Sequence, residues 1–288
     1  MAFYTDVLGL RLVKRTVNFD DITTYHLYYG DEIGSPGTAL TFFPFGTGRR
    51  GTVGRGQTSA TAFVVPDGSL GYWQARFDDR DVDHDGVETR FDERVLSFTD
   101  HDGQPMELVT AESDIEPWSG SDVPAEYALR GFHGVTLLSA DPDATADVLT
   151  VMGYEPVAEH KNRTRFEAPT DRAAVVDIID DPDAPRGVQG VGTVHHVAFR
   201  VPDDEAQSEW RETLSQRGLY VTPQKDRQYF RSIYFREPGG VLFEFATDGP
   251  GFDRDEPVEA LGTALKLPPW LEADREAIET GLPPLSTE

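Results

Sequence analysis

Hydrophobic and polar residues alternate along several short stretches of the chain, a pattern typical of β-strands with one buried face. In residues 196–201 (HVAFRV), three apolar side chains alternate with His196, an alanine and Arg200. In residues 241–247 (VLFEFAT), apolar side chains at every second position leave Glu244 on the other face. The apolar face of each strand has to pack against a helix. The pattern therefore predicts that His196, Arg200 and Glu244 point the other way, toward whatever the sheet curves around.

The alternating strands belong to internal repeats. Residues 60–73 (ATAFVVPDGSLGYW) align with residues 196–210 (HVAFRVPDDEAQSEW), and each copy predicts a strand, a Pro-Asp turn and the start of a helix. About 40 residues further on, each copy ends in another strand, which carries Glu107 in the first copy and Glu244 in the second. The chain is therefore expected to consist of related modules.

A second pair of repeats concerns the start of the chain. Residues 2–13 resemble residues 144–157, and both predict an amphipathic helix that ends at a glycine and is followed by a strand. In the later copy a strand that begins at His133 precedes the helix, whereas the early copy begins inside its helix. We therefore expect the first strand of the first module to be missing, through truncation, a misassigned start codon or natural shortening.

The two sets of repeats predict four consecutive modules and a C-terminal tail. The acidic, proline-containing stretch from Ser119 to Tyr127 is the predicted linker between the two halves of the chain. In the tail we expect a short helix between proline-rich stops, with Trp270 and Leu271 packed against the body. The predicted modules are residues 1–56, 57–127, 128–190 and 191–253, which gives halves of 1–127 and 128–253 and a tail of 254–288.

Composition excludes several classes of function. The formal net charge is −25, and the acidic residues are spread over the whole chain, which argues against nucleic acid or an anionic membrane as a partner. Only four residues are Lys, so we expect a halophilic source, with an acidic mesophilic protein as the alternative. The absence of Cys excludes disulfides and thiolate chemistry. With no long apolar run and no signal-peptide pattern at its start, the sequence predicts a cytoplasmic protein that does not span a membrane.

The candidate chemistry comes from the strands of the fourth module. An imidazole at His196 and a carboxylate at Glu244 on neighbouring strands would be two of the three ligands of a facial 2-His-1-carboxylate metal site, which leaves positions open for substrate and dioxygen. The corresponding residue in the second module is Ala60, although Glu107 roughly corresponds to Glu244. Since the repeated unit folds without the imidazole, metal ligation explains His196 better than packing does. The third ligand must come from another module.

Long segments of the chain resemble a known family. Residues 192–204, 226–252 and 3–45 and the LPPWLE motif of the tail are similar to the ring-cleaving dioxygenases that open hydroquinones, within the vicinal-oxygen-chelate superfamily of glyoxalases and extradiol dioxygenases. The resemblance implies an α+β fold in which four βαβββ modules form two cupped mixed β-sheet barrels. It also implies Fe(II) as cofactor, with Mn(II) as the alternative, a small aromatic substrate and O₂ as partners, and it leaves a homo-oligomer open.

The resemblance also implies roles for individual residues. The metal ligands would be His196, Glu244 and a His on the first strand of the first module, which we expect to lie upstream of Met1. His133 is the alternative third ligand, because the third-module His is a ligand in catechol-cleaving relatives. The positions that face substrate and oxygen in the family are His195, Arg227 and Tyr234.

Each of these three residues has a physical role and an ordinary alternative. Arg227 could hold an ionised phenolate or superoxide, Tyr234 could donate a hydrogen bond to a substrate oxygen, and His195 could move a proton. Equally, Arg227 could belong to a charged loop, Tyr234 could be part of an aromatic cross-strand pair, and His195 could point into solvent. Neighbouring residues on a strand face opposite sides, so His195 and His196 share a site only where a bulge or a strand end turns one of them. His26 lies in an aromatic strand, and we expect a structural role for it.

Three functions follow from these observations. The first is an Fe(II)-dependent ring-cleaving dioxygenase that acts on a hydroquinone-like or catechol-like aromatic. The second is a glyoxalase-like metal-dependent lyase or isomerase, which has no need of O₂. The third is a catalytically inactive binding paralogue, for which the missing first-strand His is the best argument.

Overall fold

Fifteen β-strands and four α-helices alternate along the chain in a computed structural model that describes residues 1–45, 48–170 and 172–285. The strands form sheets of three, eight and four strands, and the two larger sheets mix parallel with antiparallel pairs. The predicted α+β class with mixed sheets is therefore confirmed. None of the helices in these ranges has the length and the apolar content that crossing a lipid bilayer requires.

The N-terminal part of the chain forms an antiparallel sheet from β1 (Arg11–Asn18), β2 (Asp21–Gly30) and β3 (Leu40–Phe42). A turn of π-helix at Phe3–Val7 precedes β1, and Gly9 follows it with a φ of 74°, so the predicted glycine-ended helix is present in a short form. The sheet order is β1-β2-β3, and the outer edge of β3 pairs with no strand among the described residues.

The middle of the chain forms one eight-stranded sheet from two units of a strand, a helix and three strands. The first unit consists of β4 (Gln57–Val65), α1 (Leu70–Asp79), β5 (Glu88–Arg90), β6 (Glu93–Thr99) and β7 (Pro105–Thr110). The second consists of β8 (Phe132–Leu138), α2 (Pro142–Val151), β9 (Glu155–His160), β10 (Arg163–Glu167) and β11 (Val175–Ile179). In each unit the first strand runs parallel to the last, and antiparallel pairing of β4 with β8 joins the two units.

The same order returns near the C-terminus. The side chain of Asp203 caps the helix there by accepting a hydrogen bond from the backbone N–H of Ala206, as expected after a Pro-Asp turn. The first strand has alternating burial, with its apolar side chains inside and Ala198 and Arg200 exposed, as its sequence predicts. The elements are β12 (Val197–Val201), α3 (Asp204–Gln216), β13 (Lys225–Asp226), β14 (Arg231–Arg236) and β15 (Leu242–Thr247), and the sheet order is β12-β15-β14-β13.

Two large hydrophobic cores pack the helices onto these sheets. One is built from residues 4–129 around Trp73, and the other from residues 137–245 around Phe243. The predicted linker is part of the first core, because Val123 is buried in it and Tyr127 stacks on Tyr72 with ring centroids 4.5 Å apart. The exact boundary between the halves stays a prediction.

The tail lies against β1. A turn of 3-10 helix at Phe252–Arg254 leads into it, and two more follow at Val258–Ala260 and Glu272–Asp274, before the helix α4 (Arg275–Gly281). Leu271 packs on a small core around Val17 and Ile278, as predicted. Trp270 is packed on one side only: its ring meets Phe19 edge to face at 5.7 Å, and half of the residue stays exposed.

Candidate active site

The two adjacent histidines lie just before β12, where the chain has not yet taken up strand geometry. Both rings can therefore turn to the same side, because neighbouring residues face opposite sides only within a strand. The Nδ1 atoms of His195 and His196 are 2.9 Å apart, and the rings meet edge to face. The end of the strand thus brings both imidazoles together.

Glu244 lies in the middle of β15 and is 2% exposed. Its Oε2 atom is 2.8 Å from the Nε2 atom of His196, and its Oε1 atom accepts hydrogen bonds from the hydroxyls of Ser232 and, at 3.1 Å, Tyr234. Burial raises the pKa of the carboxyl, but the charge and hydrogen bond of His196 and the two hydroxyl groups outweigh burial, so the pKa is lowered. Glu244 is therefore held as an anion with one oxygen turned toward His196.

Arg227 and Tyr234 extend the same cluster. Arg227 donates from Nε to the Tyr234 hydroxyl at 3.3 Å and from Nη2 to Oδ2 of Asp20 at 2.9 Å. Burial lowers the pKa of Arg227, but Tyr234 and Asp20 reverse this effect and the pKa is raised. Burial and the charge of Glu244 raise the pKa of Tyr234, so its hydroxyl keeps its proton near neutral pH.

His195 is neutral in this environment. Burial is the main reason that its pKa lies below 6.5, and the neighbouring His196 lowers the pKa further. The ring of Phe43, which follows β3, approaches His195 edge to face at 6.5 Å. The structure therefore brings together all five residues that the sequence placed in the site, and it adds a wall from the N-terminal sheet.

The donor atoms of His196 and Glu244 fit a metal ion. Two ligand atoms at right angles around a metal, with bonds of about 2.1 Å, lie about 3 Å apart, and the Nε2 and Oε2 atoms are separated by 2.8 Å. The other oxygen of Glu244 already accepts hydrogen bonds from two hydroxyl groups. Carboxylates that bind metal ions are commonly oriented by such hydrogen bonds. Among the described residues no third His, Asp or Glu converges with this pair.

His133 does not join the pair. It is bulged out of the register between β8 and β4, and its Nε2 atom is 2.8 Å from Oε1 of Glu93, within the eight-stranded sheet. That sheet also carries Glu107, where Arg90 binds both carboxylate oxygens at 2.9 and 3.0 Å. The alternative third ligand therefore belongs to a network of ion pairs elsewhere in the molecule.

One other set of side chains converges as metal ligands do, namely Asp100, His101 and Asp102 in the turn between β6 and β7. Asp100 already has partners there, because it accepts the Tyr4 hydroxyl at 2.5 Å and the backbone N–H groups of Asp102 and Gln104. His101 is mostly exposed. These hydrogen bonds stabilise the turn without any ion.

Sequence reasoning missed two residues that hold the site together. Ser232 lies two positions before Tyr234 on β14, so both side chains point to the face on which Glu244 lies. This spacing of two residues is the signal in the sequence that could have identified Ser232. Asp20 lies in the tight turn between β1 and β2, 207 residues from Arg227, and no local pattern announces that contact.

Comparison with known proteins gives consistent results. Residues 131–245 match the sequence profile of the glyoxalase/bleomycin resistance protein/dioxygenase superfamily. The chain is 46% identical to MhqO of Bacillus subtilis, which carries the provisional name of a ring-cleaving dioxygenase, over 98% of this chain and 90% of that protein. It is 38% identical to a chlorohydroquinone/hydroquinone 1,2-dioxygenase of Sphingobium indicum, over 94% of this chain and 87% of that protein.

Solved structures extend the comparison. A crystal structure from Bacillus subtilis, of a protein provisionally named a dioxygenase, superposes with a TM-score of 0.96 at 45% identity and covers 100% of this chain and 93% of that one. Glyoxalase I of Zea mays superposes with a TM-score of 0.64 at 13% identity, over 86% of each chain, and shares the fold alone. The chain therefore belongs to the ring-cleaving dioxygenases of the glyoxalase/bleomycin resistance protein/dioxygenase superfamily.

Proposed function

We propose that the protein uses Fe(II), with Mn(II) as the alternative ion, and O₂ to cleave a hydroquinone-like or catechol-like aromatic ring. The observation that supports this most strongly is the approach of His196 Nε2 to Glu244 Oε2 at 2.8 Å, inside a shell of hydrogen-bonding groups. The name of the relative from Sphingobium indicum favours hydroquinones among the possible aromatics.

His196 and Glu244 would hold the ion. When bound, it would supply the transfer of electron density from the ring to dioxygen, which the side chains of this site cannot supply themselves. Ser232 and Tyr234 fix the orientation of the carboxylate, so little reorganisation is needed when the ion binds.

Arg227 provides the positive charge of the site. Its guanidinium lies 5.4 Å from the centre of the Tyr234 ring and is held at the other end by Asp20. A fixed positive charge at this position favours the ionised form of a phenol over the neutral form. We therefore assign Arg227 to stabilising the phenolate.

His195 would act as a proton donor. If Nε2 of His196 holds the metal ion, the proton of that ring would lie on Nδ1, which is 2.9 Å from Nδ1 of His195 and would donate to it. Because His195 is neutral, its own proton is then on Nε2. It can donate this proton to an oxygen in the site.

The test is anaerobic loading with Fe(II) or, in parallel, Mn(II), followed by measurement of bound metal and of O₂ uptake on addition of hydroquinone. We expect one ion per chain and O₂ consumption that depends on hydroquinone. H196A and E244Q should lose the ion. E107Q is the matched control, because Glu107 has the same place in its own sheet and should leave metal content unchanged.

Two results would contradict the proposal. Retention of a full equivalent of iron by H196A would remove this residue from the metal site. Conversion of a hemithioacetal without O₂, combined with no O₂ uptake on hydroquinone, would replace the dioxygenase by a glyoxalase-like isomerase.

A further inference from the structure

Two buried polar atoms on one face of the N-terminal sheet have no hydrogen-bond partner among the described residues. Thr16 on β1 lies directly opposite His26 on β2, so both side chains are on the same face of the sheet. The Oγ1 atom of Thr16 and the Nε2 atom of His26 are both buried and have no hydrogen-bond partner among the described residues. A buried polar group without a partner costs about 1–3 kcal/mol, so a polar molecule that bonds to both atoms would be stabilised here.

The two atoms face the candidate active site. The pKa of His26 is lowered far below 6.5, first by burial and then by positive charge on His196 and Arg227. The ring centroid of Phe43 lies 4.2 Å from that of His26 and 6.5 Å from that of His195. His26 therefore lies across from the residues proposed to hold the metal and the phenolate.

The neighbouring Tyr28 determines which nitrogen of His26 carries the proton. Its hydroxyl is 2.8 Å from Nδ1 of His26, and Tyr28 is 1% exposed. The buried hydroxyl hydrogen needs an acceptor, and Nδ1 is the one that the described residues offer. Tyr28 therefore donates to Nδ1, and neutral His26 carries its proton on Nε2. The subsite thus presents an N–H donor from His26 and a hydroxyl from Thr16 that can accept.

We propose that His26 and Thr16 form a subsite that binds the second hydroxyl group of a dihydroxylated aromatic, the one on the far side of the ring from His196 and Glu244. A hydroxyl group both donates and accepts, which matches the donor on His26 and the acceptor on Thr16. Phe43 would cover the ring between the two ends. The subsite rests on the proposed function for its substrate class, and it would favour rings with two hydroxyl groups over simple phenols.

The test compares hydroquinone with 4-methylphenol, in which a methyl group replaces one hydroxyl. Binding of each is measured by anaerobic calorimetric titration of the metal-loaded protein, without O₂ and hence without turnover. We expect the wild type to bind hydroquinone about tenfold to a hundredfold more tightly than 4-methylphenol, the effect of one satisfied buried polar pair. In H26F the ratio should fall to about one, and in T16V it should fall in part.

Two further variants keep the test decisive if H26F folds poorly. H26Q retains an N–H donor near the position of Nε2 and should keep most of the preference. T58V removes another buried, unpartnered hydroxyl, in β4 of the eight-stranded sheet, and should leave the ratio unchanged. An equal affinity for both compounds in the wild type, or an unchanged ratio in both H26F and T16V, would overturn the subsite. A ratio that depends on His26 in a protein that consumes no O₂ would support the subsite and contradict the dioxygenase.

Discussion

Lys14 connects the N-terminal sheet to the segment that follows β15, and its replacement should be among the most damaging in the molecule. Its side chain is fully buried on β1. The Nζ atom lies 2.8 Å from Oδ1 of Asp255 and 2.5 Å from Oε1 of Glu256, and 4.8 Å from the centre of the Tyr229 ring. In K14M two largely buried carboxylates lose their cation. Breaking a buried pair in this way costs about 3–5 kcal/mol, a large part of a typical stability of about 5–15 kcal/mol.

The assay is urea unfolding at pH 7, followed by fluorescence. K225M is the matched control, because Lys225 pairs with Asp20 at 3.3 Å while 42% of its side chain is exposed, and such surface pairs contribute about 0–1 kcal/mol. The double variant K14M/E256M should recover part of the loss, because it removes one of the stranded charges along with the cation. The reasoning is refuted if K14M costs less than about 1 kcal/mol, no more than the surface control.

Three further outcomes follow from the charges of the chain. D20N should lower kcat/KM for hydroquinone about tenfold with unchanged metal content, as shown by steady-state kinetics, because Arg227 loses a charge-assisted hydrogen bond that orients it; equal kinetics would contradict a positioning role. The folded protein lowers the pKa of both His26 and His195, so the unfolded chain binds more protons below about pH 6.5. The free energy of unfolding should therefore decrease as the pH is lowered from 7.5 to 5.5, and it should decrease less steeply in H26F. Identical pH dependence in the wild type and H26F would contradict the lowered pKa of His26. With a net charge of −25, the melting temperature should rise between 0.1 and about 2 M KCl, because salt screens repulsion between acidic side chains; a constant value would remove the expectation of a halophilic source.

Local sequence patterns could predict the strands of the site and the faces of their side chains. Alternation with a period of two correctly placed Glu244 on the face away from α3, because Phe245 beside it stacks on Trp210 of that helix and the period is a property of the strand itself. The pattern could not show that the chain remains irregular until Val197, which is what lets His195 turn to the same side.

Contacts between distant segments could not be predicted. The lack of a partner for the Nε2 atom of His26 depends on the register that sets it opposite Thr16, and the orientation of its ring depends on how the N-terminal sheet lies against β14 and β15. The sequence therefore favoured a structural role for His26. The same limit applies to Asp20, whose contact with Arg227 joins two parts of the chain that share no repeat.

The carboxylates of Glu107 and Glu244 occupy equivalent positions, and their neighbours show what distinguishes the proposed metal site from an ion pair. Glu107 lies beside Ala62 and Ser97 as Glu244 lies beside Ala198 and Tyr234. Arg90 precedes Glu107 by 17 residues, and Arg227 precedes Glu244 by the same number. Yet Arg90 binds its carboxylate directly, whereas Arg227 bonds to the Tyr234 hydroxyl that stands between it and Glu244.

The residue opposite the carboxylate accounts for this difference. Ser97 is too short to keep Arg90 away, whereas the phenol ring of Tyr234 separates Arg227 from Glu244 and leaves one carboxylate oxygen for His196. In Y234S we therefore expect Arg227 to pair with Glu244 and metal affinity to fall by about a hundredfold or more, measured by competition with a chelator. Y234F keeps the ring and loses only a hydrogen bond, so its affinity should fall by about tenfold. Equal losses in the two variants would show that the hydroxyl, and not the ring, protects the carboxylate from the arginine.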